Sequence, residues 1–381
     1  MVHLINDNDI VIVSALRTAV CKANKGNLKN LTNDMLVYYA IKGTLDAIKL
    51  NPYEVDEICL GHCLSPMNGT TALRVGALRS GMPLTVPMST INRQCASGLD
   101  SIEIIANKIK LGKIEIGLAG GFESMSSYSM ETGKLTENEN DSKKVKDCFL
   151  SMGITAENLA LKHCISRSDA DLYAYDSHLK AFKSYDMRKN EILPICIDDK
   201  IINFDDGVRE SSLEKLNSLK SVFKENGVCT AGNSSQLSDG ASIVVLMKRK
   251  KAVELNLEIK STYIDFVSVG LEPSVMGEGP VPAIKKLLKQ NNLQLSDIDY
   301  FEINEAFACQ ALYCINELGI RRDKVNLYGG AIAIGHPIGC TGSRLVATAI
   351  NVMKNNNIKG YGLVSMCVGT GQGVALLFKN D

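Results

Sequence analysis

Apolar runs of strand length alternate with amphipathic stretches of helix length along this whole chain, and that alternation points to an α/β architecture. Asp9–Ala15 (DIVIVSA) predicts a buried strand, Thr32–Ile48 a helix, and Val55–Gly61 (VDEICLG) a second strand. Leu99, Ile102, Ala106 and Ile109 fall on one face of a helix that starts near Ser97, and Ile114–Ala119 (IEIGLA) predicts the strand after it. Helical patterning returns at Asp169–Tyr185. Residues 131–147 (ETGKLTENENDSKKVKD) are polar and aperiodic, which predicts a loop or the entry to an inserted subdomain.

The alternation is weakly repeated. Cys95-Ala-Ser-Gly98 opens a helix and is followed by the strand Ile114–Ala119 and the glycines at 120 and 121. Cys340-Thr-Gly342 opens a helix and is followed by the strand Tyr361–Ser365 and the glycines at 369 and 371. Ile10–Ala15 and Tyr263–Val269 match as first strands. Two similar α/β halves follow, with an insertion in the first.

Composition narrows the function. The 381 residues suffice for two or three packed layers or domains. Lys plus Arg equals Asp plus Glu at 42 each, so neither a nucleic-acid-binding surface nor a membrane-seeking basic face is expected. No apolar run is long enough for a membrane span; Gly362–Phe378, the least polar stretch, carries four glycines and reads as a buried strand and turn. The first ten residues hold two aspartates and no basic run, and the chain ends Phe-Lys-Asn-Asp, so neither a secretory leader nor a peroxisomal tripeptide is read. The expectation is a cytoplasmic protein, with an organelle left open. The twelve cysteines include no CxxC pair, which predicts free thiols in a reducing compartment and no metal site. Lys248-Arg-Lys-Lys251 reads as a solvated element end.

Three glycine-rich segments each hold a nucleophile or a base: Asn92–Gly98, Gly329–Gly342 and Cys367–Gly373. Cys95 sits where a strand ends and a helix begins. Free N–H groups there lower a thiol's pKa, so Cys95 is expected to be the first of the twelve thiols to be alkylated. A small buried core residue is the alternative. His336, between Gly335 and Pro337, is either the base that activates a thiol or a hydrogen-bonded structural histidine. Cys367 follows an apolar strand, as Cys95 does, and core packing is its alternative. The order strand, GxGxxG, helix and distal acid is missing, which rules out a dinucleotide fingerprint.

Four segments together resemble the thiolase superfamily in its degradative 3-ketoacyl-CoA type, over nearly the whole chain. Asn92-Arg-Gln-Cys-Ala-Ser-Gly98 is similar to the family's nucleophile loop, Asn304-Glu-Ala-Phe-Ala308 to its NEAF motif, Gly335-His-Pro-Ile-Gly339 to its GHP motif, and Cys367-Val-Gly-Thr-Gly371 to its second-cysteine motif. Gly120–Met125, Met152–Asn158 and Thr230–Ser235 agree as well. The resemblance implies the thiolase fold: two similar βαβαβαββ halves in a five-layer arrangement with an inserted loop domain. The first half would span 1–124 plus 237–262, the loop domain 125–236 and the second half 263–381. Relatives form at least dimers, so a homodimer or homotetramer is expected.

By the same resemblance Cys95 is the acyl-accepting nucleophile, His336 its base and Cys367 the proton carrier. Asn304 holds a water, and Gly369 supplies an oxyanion amide. Ser235 and Lys220 would face coenzyme A, with Lys220 standing where relatives often carry arginine. Met152 and Phe307 would line the acyl pocket, and Ser151, smaller than the residue common before Met-Gly, would leave room for a tail. No permanently bound cofactor is implied; coenzyme A and acyl-CoA are substrates. The rival readings are acetoacetyl-CoA formation from two acetyl-CoA, a ketoacyl synthase with a Cys-His-His set, and a catalytically dead lipid-binding relative. The Cys-His-Cys set argues against the second, and the intact set with Asn304 against the third.

Overall fold

The computed structural model describes residues 6–130 and 135–380, so Met1–Ile5 and the start of the polar 131–147 stretch lie outside the described residues. The first half runs β1 (Ile10–Arg17), α1 (Asn33–Ile48), β2 (Glu57–Gly61), α2 (Pro66–Arg79), β3 (Met88–Ile91), α3 (Ser97–Lys110) and β4 (Ile116–Ser124). An insertion carrying α4 (Met152–Lys162) and α5 (Arg167–Lys183) follows, and the chain returns as β5 (Ser238–Lys248). The second half runs β6 (Ser261–Gly270), α6 (Pro280–Gln290), β7 (Ile298–Ile303), α7 (Ala308–Leu318), α8 (Ile338–Asn355), β8 (Gly360–Val368) and β9 (Gln372–Asn380).

Strand pairing repeats. The first half is ordered β3-β2-β4-β5-β1 and the second β7-β8-β9-β6. Beside β7, where β3 would have its counterpart, Val325 makes one parallel bridge to Phe301. With that bridge counted, the two halves share one topology. They join where β1 lies antiparallel to β6 through Val11 with Thr262 and Ile12 with Ser261.

Side chains alternate across a strand, and that alternation builds the layers. Val11, Val13, Val245 and Met247 pack with α1 and α2, whereas Ile10, Ile12, Val244 and Leu246 pack with α3 and α8. Val364, Met366, Val374 and Leu376 face the same α3/α8 core from the other side, and Leu363, Ala375 and Leu377 face α6 and α7. The result is five layers, helix–sheet–helix–sheet–helix, as the resemblance implied. Lying between two sheets, α8 is buried on every side from Ile338 to Met353. It crosses α3 at glycine contact distance: a Cβ on Gly342 would sit 2.4 Å from the Leu99 nitrogen.

Two strands outrun the sequence reading, and both extensions matter to the site. β4 continues through Gly120-Gly121 and carries Glu123 as a strand residue; β8 continues to Val368 and carries Cys367 inside it. The 248–251 run opens a short helix, Arg249–Glu254. Arg249 is buried there, with Nη2 donating to Thr262 Oγ1 at 2.7 Å, and is not solvated as expected. Among the described residues no helix is long and apolar enough to cross a membrane.

Candidate active site

Between β3 and α3 the chain turns through Gln94, whose φ is +50°. Asn92 Oδ1 accepts from the Gln94 amide (2.8 Å), and Ser97 Oγ donates to the Gln94 carbonyl (2.6 Å) while accepting from the Arg93 amide (2.9 Å). This tight turn aims Cys95 inward at the start of α3. The amides of Gly369 and of Cys95 itself point at its sulfur. The expected lowering of this thiol does not occur: burial pushes it up to about 11, the two amides offset only part of that, and Glu123 adds to the rise.

Glu123 was not singled out by the sequence. Its buried carboxylate accepts from the amides of Cys63 (3.0 Å), Leu64 (3.2 Å) and Gly339 (3.0 Å), and lies 3.0 Å from His62 Nδ1. It therefore clamps the loop after β2 to the first turn of α8, beneath the nucleophile. The signal available in sequence was one carboxylate in the otherwise uncharged strand Ile116–Ser124.

His336 is placed by its amide, which donates to the Gln236 carbonyl (3.0 Å), and by its ring, whose Nδ1 lies 2.6 Å from Thr341 Oγ1. The Thr341 hydroxyl donates to the Pro337 carbonyl (2.8 Å), so it can only accept from the ring. That assigns the hydrogen to Nδ1 and leaves the Nε2 lone pair free. Burial first, then the Arg344 guanidinium, lower the imidazole to about 3, so it is uncharged at neutral pH.

The remaining residues come from both halves and the insertion. Cys367 is buried, and its thiol is pushed well above the ordinary range by burial and then by Cys95 nearby. Asn304 is fixed through its amide to the Ser365 carbonyl (2.9 Å), while its buried carboxamide has no partner at either Nδ2 or Oδ1. Native structures seldom leave such a group unpaired, which marks a place for a water or a substrate oxygen. Met152 and Phe307 share an apolar cluster with Cys367, and Met152 Sδ lies 3.3 Å from where a Cβ on Gly369 would stand. The Ser235 amide donates to the Ala306 carbonyl (2.9 Å) and Ser234 bridges to Phe307, which stitches the 230–235 segment to Asn304–Ala308. Lys220 is exposed and makes no hydrogen bond or ion pair with the others. Ser151 caps α4, its Oγ accepting from the Ile154 amide (3.4 Å). Glu305, also missed as an individual residue, braces the NEAF segment by accepting from Tyr173 (3.1 Å), Ser177 (2.6 Å) and Asn326 (2.9 Å).

Two thiols, an uncharged imidazole, two amides aimed at one sulfur and an unpaired carboxamide are a set for acyl transfer through a thioester. Among the described residues no group of three or more His, Cys, Asp or Glu side chains could hold a metal ion. Residues 10–250 match the thiolase N-terminal domain and residues 257–380 the thiolase C-terminal domain. The chain belongs to the thiolase family. A peroxisomal 3-ketoacyl-CoA thiolase of Encephalitozoon cuniculi is 49% identical over 380 residues, covering 99% of this chain and 97% of that one. The fold superposes on the dimeric peroxisomal thiolase of Saccharomyces cerevisiae with a TM-score of 0.94 at 43% identity, over 99% of both chains. Human mitochondrial 3-ketoacyl-CoA thiolase in complex with CoA follows at a TM-score of 0.89 and 35% identity, over 98% of both.

Proposed function

We propose that this protein is a 3-ketoacyl-CoA thiolase that cleaves 3-ketoacyl-CoA with coenzyme A, releasing acetyl-CoA and a shortened acyl-CoA. The observation that carries this reading is the meeting at one sulfur of Cys95, the Gly369 amide and the thiol of Cys367. His336 Nε2 takes the Cys95 proton as the sulfur attacks the keto carbon. The oxyanion that forms is met by the amides of Cys95 and Gly369. Carrying that proton, His336 Nε2–H then becomes a donor for the enolate oxygen of the leaving group, together with a water on Asn304. Cys367 protonates the enolate carbon and acetyl-CoA departs. Cys367 then takes the proton of incoming coenzyme A, whose sulfur attacks the acyl-Cys95 thioester, and the expelled Cys95 sulfur takes its proton back from His336.

Coenzyme A would lie along Ser235 and Lys220, and the acyl chain along Met152 and Phe307. The 1–124 plus 237–262, 125–236 and 263–381 division remains our reading of the domains, supported by the return of β5 to the sheet of β1 and β4. Free thiols exposed at Cys148, Cys164 and Cys196 support a reducing compartment, cytoplasmic or organellar.

The test is a series of 3-ketoacyl-CoA substrates of rising chain length, with the acyl group mapped by peptide mass spectrometry. The acyl group is expected on Cys95, with kcat/KM holding or rising from four carbons to eight, because each buried CH₂ adds about 0.8 kcal/mol where a groove exists. Cys367→Ala should still take up acyl but lose turnover by about 10²-fold or more. An acyl group on another cysteine rejects the mechanism. Activity confined to acetoacetyl-CoA replaces degradation by condensation of two acetyl-CoA.

A further inference from the structure

Beneath the candidate site lies a second buried polar group that the mechanism above leaves unused. Tyr300 packs in the central core while Phe301 and Ile303 face the outer one, so Glu302 and Asn304, alternating with them, share the inward face of β7 and its end. That face meets α8. Arg344 lies three residues beyond Thr341, on the side of α8 that holds His336 Nδ1. Its guanidinium is fully buried; Nη1 reaches Glu302 Oε1 at 3.4 Å, and Nε and Nη2 have no partner. The other Glu302 oxygen is bonded by the Tyr300 hydroxyl.

A buried arginine normally sits against a carboxylate that neutralises it. Here the pairing is loose: burial pushes Glu302 up, its one contact with the guanidinium is the 3.4 Å approach to Nη1, and Nε and Nη2 are left without a carboxylate. The other charged groups around this part of α8 are Arg17 from β1, Glu123 from β4, Glu191 from the insertion and Glu305 after β7. Arg344 is the one among them that acts on His336.

We propose that Arg344 is a positioning residue of this active site, a fixed cation on α8, held by one long carboxylate contact and with two nitrogens unpaired, that keeps the imidazole of His336 in its basic form. The role in turnover rests on the thiolase reading; the effect on His336 does not. With the imidazole held uncharged, Cys95 stays a thiol until substrate arrives, and the proton moves as the carbon–sulfur bond forms.

The test uses the full-length protein labelled with ¹³C in its histidine rings; with only five histidines in the chain, His336 is assigned by its loss in His336→Asn. In the wild type the His336 resonance, followed down to about pH 3, should show no more than the onset of titration. Arg344→Met should raise its midpoint by about one pH unit or more, and Arg344→Lys, which restores the charge, should return it to wild-type behaviour. The acid limb of kcat/KM for thiolysis should move in the same direction in the same variants. Should Arg344→Met fail to fold, Arg344→Met with Glu302→Gln is measured in its place and read the same way. An unmoved His336 midpoint overturns the proposal, and so does a shift that Arg344→Lys fails to reverse, since packing and not charge would then be the cause. The titration needs no substrate, so a protein without thiolysis whose His336 still responds to Arg344 loses the functional reading alone.

Discussion

With the Cys95 thiol pushed up to about 11 and the His336 imidazole lowered to about 3, the two do not rest as an ion pair. Between those values both groups are uncharged, so Cys95 reacts through base-assisted attack and not as a standing thiolate. Iodoacetamide modification of Cys95 in the substrate-free protein should therefore keep accelerating as pH rises from about 7 toward 10, following the thiolate fraction. At neutral pH the exposed Cys148, Cys164 and Cys196 should be labelled before it, against the expectation from the helix start alone. Peptide-resolved alkylation rates decide this; a Cys95 rate that is already flat below pH 7 would show a preformed thiolate–imidazolium pair. Cys95, His336, Cys367 and Asn304 were named as candidates from the sequence because each stands in its own short motif. Glu123 and Thr341 were not. Glu123 works on Gly339, which is distant in the chain, and the meaning of Thr341 lies in where its hydroxyl proton goes.

Elements are fixed to one another by buried charge that no local pattern reveals. Arg17, at the end of β1, donates to Asp205 Oδ1 (2.6 Å) and Oδ2 (3.0 Å) and to Glu191 (2.7 Å). Arg188 reaches Asp205 (3.2 Å), and Glu191 in turn accepts from Thr348 (2.8 Å) and Asn351 (2.9 Å) of α8. The insertion is thus bolted to the first strand and to the central helix at one place. Sequence periodicity found the strands and helices because burial on one face leaves a period, but an ion cluster joining segments far apart leaves none. Burial alone would raise Asp205; the charge and hydrogen bonds of Arg17, with Arg188, overturn that and hold it at about 2. A carboxylate depressed in the folded state stabilises above its unfolded pKa, and that contribution disappears as pH falls through the folded value. The window here runs from 3.8 down to about 2. The gap between 3.8 and about 2 corresponds to roughly 2 kcal/mol. Asp205→Asn should therefore lower the melting temperature most above pH 4, and the gap to wild type should close as pH approaches 2. A gap of equal size across that range would mean that packing, and not the Asp205 charge, carries the stability.

At the scale of the molecule, the weak repeat in the sequence became two sheets of one topology, and α3 and α8, the helices opened by Cys95-Ala-Ser-Gly98 and Cys340-Thr-Gly342, became the shared central layer. The missing third strand of the second half was not legible, because a single bridge at Val325 leaves no apolar run to read. That asymmetry has a consequence for assembly. Val325 flanks β7 at one end of the combined sheet, whereas β3 at the other end pairs only with β2 among the described residues. The Ile58 amide donates to the Pro87 carbonyl and the His62 amide to the Ile91 carbonyl, each at 3.1 Å. Positions 87, 89 and 91 therefore turn their backbone toward β2, and Met88 and Thr90 turn theirs outward. Leu84, 77% exposed just before this edge, adds apolar surface beside it. An open edge with unpaired backbone groups is a template for a second strand, and a second copy of β3 running antiparallel would satisfy both chains by two-fold symmetry. Light scattering should then give twice the 41.4 kDa chain mass for the wild type. Thr90→Pro removes an outward amide without touching the pairing to β2 and should shift the mass toward one chain, while Thr90→Val, which keeps the amide, should not. A mass of four chains would mean that a further interface joins two such dimers, and a Thr90→Pro protein that remains fully dimeric would place the interface away from this edge.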